Sequence, residues 1–263
     1  MAQFYHHIFY QNIFSLPSTI IKTVRRNCQG RKFEPEVEAL SVLVRQGFFC
    51  FDVGGAYGRY AFPLSRMVGP QGRIYSFEPG SYSYKVFSFV KAFFALKNVV
   101  LIKKAVSHKP GSIELCLPPK KSGKLGASLA HIHSGKKEDS YCETVDMLTL
   151  DDFVRRENPP RLDLIKCDTE GSELLVFQGG KDTIKRFKPI ILTEIDANNL
   201  ARYGHKPPDI LDFFRTWNYR LMVWEAGTFI PVATAEKPGN YFFIPEHINT
   251  VIPAKAGIHN KTK

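Results

Sequence analysis

Residues 48–61 read FFCFDVGGAYGRYA, and no other stretch constrains the fold as much. Phe48, Phe49, Cys50 and Phe51 form a wholly apolar run. Such a run suits a strand buried on both faces, as in a parallel sheet. It ends at Asp52, and Gly54, Gly55 and Gly58 follow before residues 59–67 open a helix. Strand, glycine-rich turn and helix in that order make the first half of a nucleotide-binding α/β unit. Glycine lets the backbone turn sharply and lets a ligand approach without meeting a Cβ. The helix N-terminus then offers it free N–H groups. Two classes of nucleotide site fail on this stretch. A G-x-G-x-x-G fingerprint ending at Gly58 would need glycine where the chain has Val53. A P-loop would need a Gly-Lys-Ser/Thr that does not follow.

Later segments extend the same pattern. Apolar runs at residues 74–77, 162–167 and 190–193 end at Glu78, Asp168 and Glu194. With Asp52, acidic residues therefore stand at four successive strand ends, the edge where open α/β sheets bind ligands. A carboxylate at Glu78 can accept both ribose hydroxyls of an adenosine. The spacing Asp52-x-Gly54-x-x-x-Gly58 fits the first motif of S-adenosylmethionine (SAM) methyltransferases, whose ligand carries no phosphate. The acidic sheet edge suits that ligand's sulfonium and ammonium charges. The ordinary reading of the turn is a βα connection serving some other ligand.

Helices are expected at 34–45 and 83–96, from Thr149 to before Pro159-Pro160, from Ser172, and from Pro207-Pro208 onward. Residues 99–102 and 113–117 read as strands, and Val106 lies in the loop between them. Residues 118–141 are a polar excursion with five lysines, read as a substrate-covering flap or a mobile loop, and His131 and His133 are taken as surface residues. Residues 219–224 and 228–232 flank Ala226-Gly227 as a hairpin, and 241–244 reads as a sheet-edge piece.

At 263 residues the chain fits one α/β domain with elaborations. We divide it into an N-terminal helical segment (1–32), one domain (33–250) and a disordered tail (251–263). The net charge of +11 admits nucleic acid or an anionic membrane as partner, but Lys and Arg are dispersed, which is the pattern of a solvated surface. The aromatic N-terminal segment reads as a packed lid, with weak peripheral membrane contact as the alternative. No secretory signal or membrane-length apolar run is found. Five scattered cysteines without a Cys-x-x-Cys pair read as reduced thiols of a cytoplasmic protein, with no zinc site and no disulfide.

The pieces FDVGGAYGRYA, YSFEPG, TLDDF, LDLIKCDTEGSELLVFQGG and PIILTEI, in this order over residues 48–195, resemble the FkbM family of SAM-dependent methyltransferases. IKCDTEGSE is the most specific of them. The resemblance implies a Rossmann-like class I methyltransferase fold, a mostly parallel seven-stranded sheet with helices on both faces and the last strand antiparallel. It implies SAM as cofactor and methyl transfer to a hydroxyl of a sugar or small natural-product-like acceptor. Asp52, Gly54, Gly55, Tyr57 and Gly58 would form the cofactor turn, Glu78 would bind the ribose and Val106 would border the adenine. Asp168 and Glu170 would lie beside the methyl group and act on the acceptor, with Asp168 also touching the cofactor. The family usually has Ala-Asn where this chain has Gly55-Ala56, which removes one polar contact. No metal is expected: Asp168, Glu194 and Asp196 could hold Mg²⁺, but helix capping accounts for the same residues. A nucleic-acid partner is not expected, because the Asn/Asp-Pro-Pro-Tyr/Phe signature of base N-methylation is replaced by Cys-Asp-Thr-Glu-Gly. A non-catalytic SAM-binding module is the remaining alternative.

Overall fold

The structure, a computed structural model, describes residues 17–28, 34–117, 131–132 and 141–248. The expected flap, apart from 131–132, lies outside them, as do His133, the first 16 residues and the tail. Residues 17–28 form helix α1.

The main sheet grows from β1 (Phe49–Val53), which pairs in parallel with β2 (Arg73–Phe77) on one side and β8 (Leu164–Cys167) on the other. β3 (Val99–Ile102) extends the β2 side and β9 (Ile190–Ile195) the β8 side, all parallel. Beyond β9 come β12 (Gly239–Pro245), β10 (Tyr219–Glu225) and β11 (Thr228–Pro231), each antiparallel to its neighbour. The full order is β11-β10-β12-β9-β8-β1-β2-β3, eight strands. The eighth is β11, the outer arm of the hairpin, added to the edge of the seven expected. The residues read as an edge piece, 241–244, instead lie inside the sheet. Tyr241, Phe242, Phe243 and Ile244 are all buried, because β12 threads between β9 and β10.

Alternation along the strands sends successive side chains to opposite faces. Phe51, Val53, Phe77, Ile165 and Cys167 enter one core. Cys50, Ile74, Leu164 and Leu192 enter the other. In the first core, Phe51, Tyr75, Phe77 and Phe153 meet edge-to-face, with ring centroids between 4.9 and 5.8 Å apart. Each such pair is worth about 0.5–1.5 kcal/mol beyond its buried area. The helices α2 (Pro35–Leu43), α3 (Ala61–Val68), α4 (Ser81–Phe93), α5 (Leu150–Glu157), α6 (Glu173–Gln178), α7 (Lys181–Phe187), α8 (Ala197–Ala201) and α9 (Pro207–Arg215) connect and cover the strands.

A second, four-stranded sheet has the order β4-β7-β5-β6: β4 (Ala105–Val106), β5 (Gly111–Leu117), β6 (His131–Ile132) and β7 (Tyr141–Leu148). It corrects the cysteine reading. β5 and β7 are antiparallel, and their register sets Cys116 opposite Cys142, where the two form a disulfide. The spacing of 26 residues hides this pairing, which the hairpin creates. Cys28, Cys50 and Cys167 are free. No helix of the described residues is long and apolar enough to cross a membrane.

Candidate active site

β1 is the switch point of the main sheet: the chain builds outward through β2 and β3, then returns to β8 on the other side. A crevice opens there at the strand C-termini. It holds about 1050 Å³, its solvent-open mouth included. Val53, Gly54, Ala56, Glu78, Val106, Leu115, Lys166, Asp168, Glu170 and Glu194 are among the residues that line it.

The glycine turn forms the floor. Gly54 has a φ of 81°, and a Cβ there would collide with the Asp168 carbonyl. No other residue type fits both conditions. Gly55 and Gly58 pack behind the turn, against Ser76 and the Phe87 ring. Neither they nor Tyr57 is among the residues lining the crevice. Ala56 has a φ of 46°, a conformation that asparagine adopts more readily than alanine.

Ala56 nevertheless makes the contact that links the turn to β2. Its N–H donates to Glu78 Oε2 at 2.7 Å, and the Gly80 N–H donates to Oε1 at 2.9 Å. Burial outweighs these two bonds and pushes the Glu78 carboxyl up to about 8. Each oxygen keeps a lone pair for a further donor.

Asp52 is placed differently from expectation. It is fully buried and does not line the crevice. The parallel registers set Ser76 and Lys166 beside it on the two flanking strands. The Ser76 hydroxyl donates to Asp52 Oδ2 at 2.7 Å, and Lys166 Nζ lies 3.7 Å from Oδ1. Asp52 thus supports the turn from below. Burial raises its pKa against the pull of Lys166 and Ser76.

Sequence reasoning passed over Lys166. Its ammonium donates to the Gly54 carbonyl at 3.0 Å, lies 3.5 Å from Asp168 Oδ2, and sits 4.9 Å from the centre of the Tyr60 ring. Burial opposes the charge, but Asp168 and Asp52 outweigh it and raise the pKa. The available signal was a lysine inside an otherwise apolar strand, since buried lysines are nearly always paired.

Beyond β8 the chain tightens. Glu170 has a φ of 56°, a strained conformation held by its surroundings. Glu173 Oε1 accepts from the Thr169 N–H, the Thr169 hydroxyl and the Gly171 N–H. The Asn199 amide donates to Glu170 Oε2 at 3.2 Å. Burial first, then Asp168 and Glu173, lift Glu170 to about 7. Carboxylate oxygens of Asp168, Glu173 and Glu194 lie within 4.8 Å of one another. Asp196 instead caps α8, accepting from the Asn198 and Asn199 N–H groups.

The crevice therefore has an apolar end, at Phe77, Ala105, Val106 and Leu115, and an acidic end, at Asp168, Glu170 and Glu194. Glu78 stands between two backbone donors near the turn. Such a site can take a ligand with a flat apolar ring, hydroxyl donors and a cationic tail.

The family model described as "Methyltransferase FkbM domain" matches residues 52–221. None of the curated proteins matches the chain. Solved structures that it resembles include the FkbM methyltransferase of Methylobacillus flagellatus, at 14% identity and a TM-score of 0.47, covering 80% of this chain and 50% of that one. The chain thus spans half the length of that enzyme. A SAM-dependent methyltransferase of Aquifex aeolicus aligns at 16% identity and a TM-score of 0.46, covering 87% and 98%. A SAM-dependent O-methyltransferase of Thermotoga maritima aligns at 13% identity and a TM-score of 0.43, covering 79% and 63%.

Proposed function

The chain belongs to the FkbM methyltransferase family, whose methyl donor is SAM, and we propose that it O-methylates a hydroxyl of a sugar or a small natural-product-like acceptor. The observation that carries this reading is the polarity of the crevice: one apolar end and one end with three carboxylates, joined across Glu78.

The residues fit the cofactor. Val106, Ala105 and Leu115 would hold the adenine, and Glu78 would accept the ribose hydroxyls. Gly54 leaves room over the floor, and Asp168 would meet the methionine end. When bound, SAM supplies an electrophilic methyl group on a sulfonium. The chain aligns the acceptor oxygen with that methyl group, and alignment of this kind can contribute about 7–11 kcal/mol. It must also receive the hydroxyl proton, and Asp168 and Glu170 stand at the end where this happens.

The reading uses no metal. Glu173 Oε1 already accepts three hydrogen bonds and faces its own loop. A nucleic-acid acceptor would rest on the net charge alone. The cytoplasm remains our proposed location, although the Cys116–Cys142 bond is of a kind more usual in oxidising compartments.

Transfer of labelled methyl from SAM to a panel of saccharides and hydroxylated small molecules, with RNA alongside, tests the proposal. Label on a hydroxylated acceptor supports it. Label on RNA alone, with a steep salt dependence, would replace it.

A further inference from the structure

Three carboxylates line the acidic end of the crevice and buried Glu173 lies behind them; three of the four have partners. Asp168 faces Lys166, Glu170 accepts from Asn199, and Glu173 accepts from Thr169 and Gly171. Glu194, at the end of β9, lines the crevice half-buried, and among the described residues nothing donates to its carboxyl group. Four other carboxyl groups stand near it. Asp168 faces it from just beyond β8, Glu170 from the loop that follows, Glu173 from α6, and Asp196 from the start of α8. Of the neighbouring cations, Lys166 is engaged by Asp168 and Asp52, and exposed Arg202 forms no ion pair among the described residues. β12, paired along β9, brings only the uncharged Asn240 opposite it.

We propose that Glu194 is the catalytic residue that takes the acceptor's proton, and that the sulfonium charge, on arriving, turns it into its proton-accepting form. This rests on the methyltransferase reading and extends it to a residue that the sequence motifs did not assign. Burial, followed by Asp168, Glu170, Glu173 and Asp196, holds the Glu194 carboxyl up at about 8. At neutral pH Glu194 is therefore mostly protonated before the cofactor binds. A cation placed against it favours the carboxylate, and the proton leaves to solvent. In the transfer step the acceptor oxygen bonds to the methyl carbon, and the carbon–sulfur bond breaks with its electron pair going to sulfur. The acceptor's proton then passes to the Glu194 carboxylate. Sulfur is now neutral, so Glu194 holds that proton in the product complex. One turnover consumes one hydroxyl proton and releases one proton to solvent.

The coupling is measurable without knowing the acceptor. Calorimetry in two buffers of different ionisation enthalpy counts protons released when SAM or S-adenosylhomocysteine binds at neutral pH. For the unaltered chain, SAM should release about half a proton or more, and S-adenosylhomocysteine, which lacks the sulfonium, much less. Glu194→Gln should abolish the difference while keeping affinity for S-adenosylhomocysteine. Glu194→Asp, which keeps a carboxyl group, should retain part of it. A difference that survives Glu194→Gln overturns the assignment, as does its absence from the unaltered chain. If neither ligand binds, the proposed function falls and this inference with it.

Discussion

Lys166 and Asp168 leave β8 on the same side of the chain, and the lysine ammonium lies 3.5 Å from an Asp168 oxygen. The same ammonium donates to the Gly54 carbonyl and faces Asp52. One buried cation therefore joins the end of β8, the glycine turn and the end of β1. Replacing it leaves two carboxylates with no counter-charge. Lys166→Met is expected to destabilise the fold by about 3–5 kcal/mol, read from urea unfolding. Adding Asp52→Asn should recover part of the loss. A change below about 1 kcal/mol would show that the network is not structural.

The turn carries a second, smaller strain. Ala56 has a left-handed φ of 46°. Ala56→Asn should stabilise the fold by about 0.5–1 kcal/mol, because asparagine enters this region at lower cost. An unchanged or lower unfolding midpoint would contradict this.

The raised carboxyls make a pH prediction. Glu78 and Glu194 stand near 8 and Glu170 near 7 in the folded chain, all above the ordinary glutamate value. The folded state thus binds these protons more tightly than the unfolded state. Their contribution is complete below the unfolded pKa and is lost as pH rises toward 8. Stability without ligand should fall between about pH 5 and about pH 8.5. Glu78→Gln should flatten that fall, and a profile that rises over the window would refute the sign.

Three thiols should react in the unfolded, unreduced chain, and five after reduction. Reduction should lower stability by about 2–4 kcal/mol, if the bond acts mainly on the unfolded chain. Five reactive thiols without reductant would place Cys116 and Cys142 outside any bond.

The main sheet was legible because its parallel strands are continuous apolar runs that end in carboxylates. β1, β2, β8 and β9 all show this, and Glu78, Asp168 and Glu170 line the crevice. What escaped depends on register. Asp52 looked like a ligand residue, but pairing across three strands turns it toward Ser76 and Lys166. Lys166 looked like one charge in an apolar run. β7 reads YCETVDML, half polar, and gains its strand only by pairing with β5. The same pairing makes the disulfide, which a count of cysteines cannot reveal.

Binding of the cofactor through Glu78 is tested most directly by calorimetric titration of the unaltered chain and of Glu78→Ala with S-adenosylhomocysteine. One saturable site per chain is expected, with at least about a tenfold loss of affinity in the variant, the scale of one or two hydrogen bonds. No binding to the unaltered chain, or equal affinity in both, would contradict it.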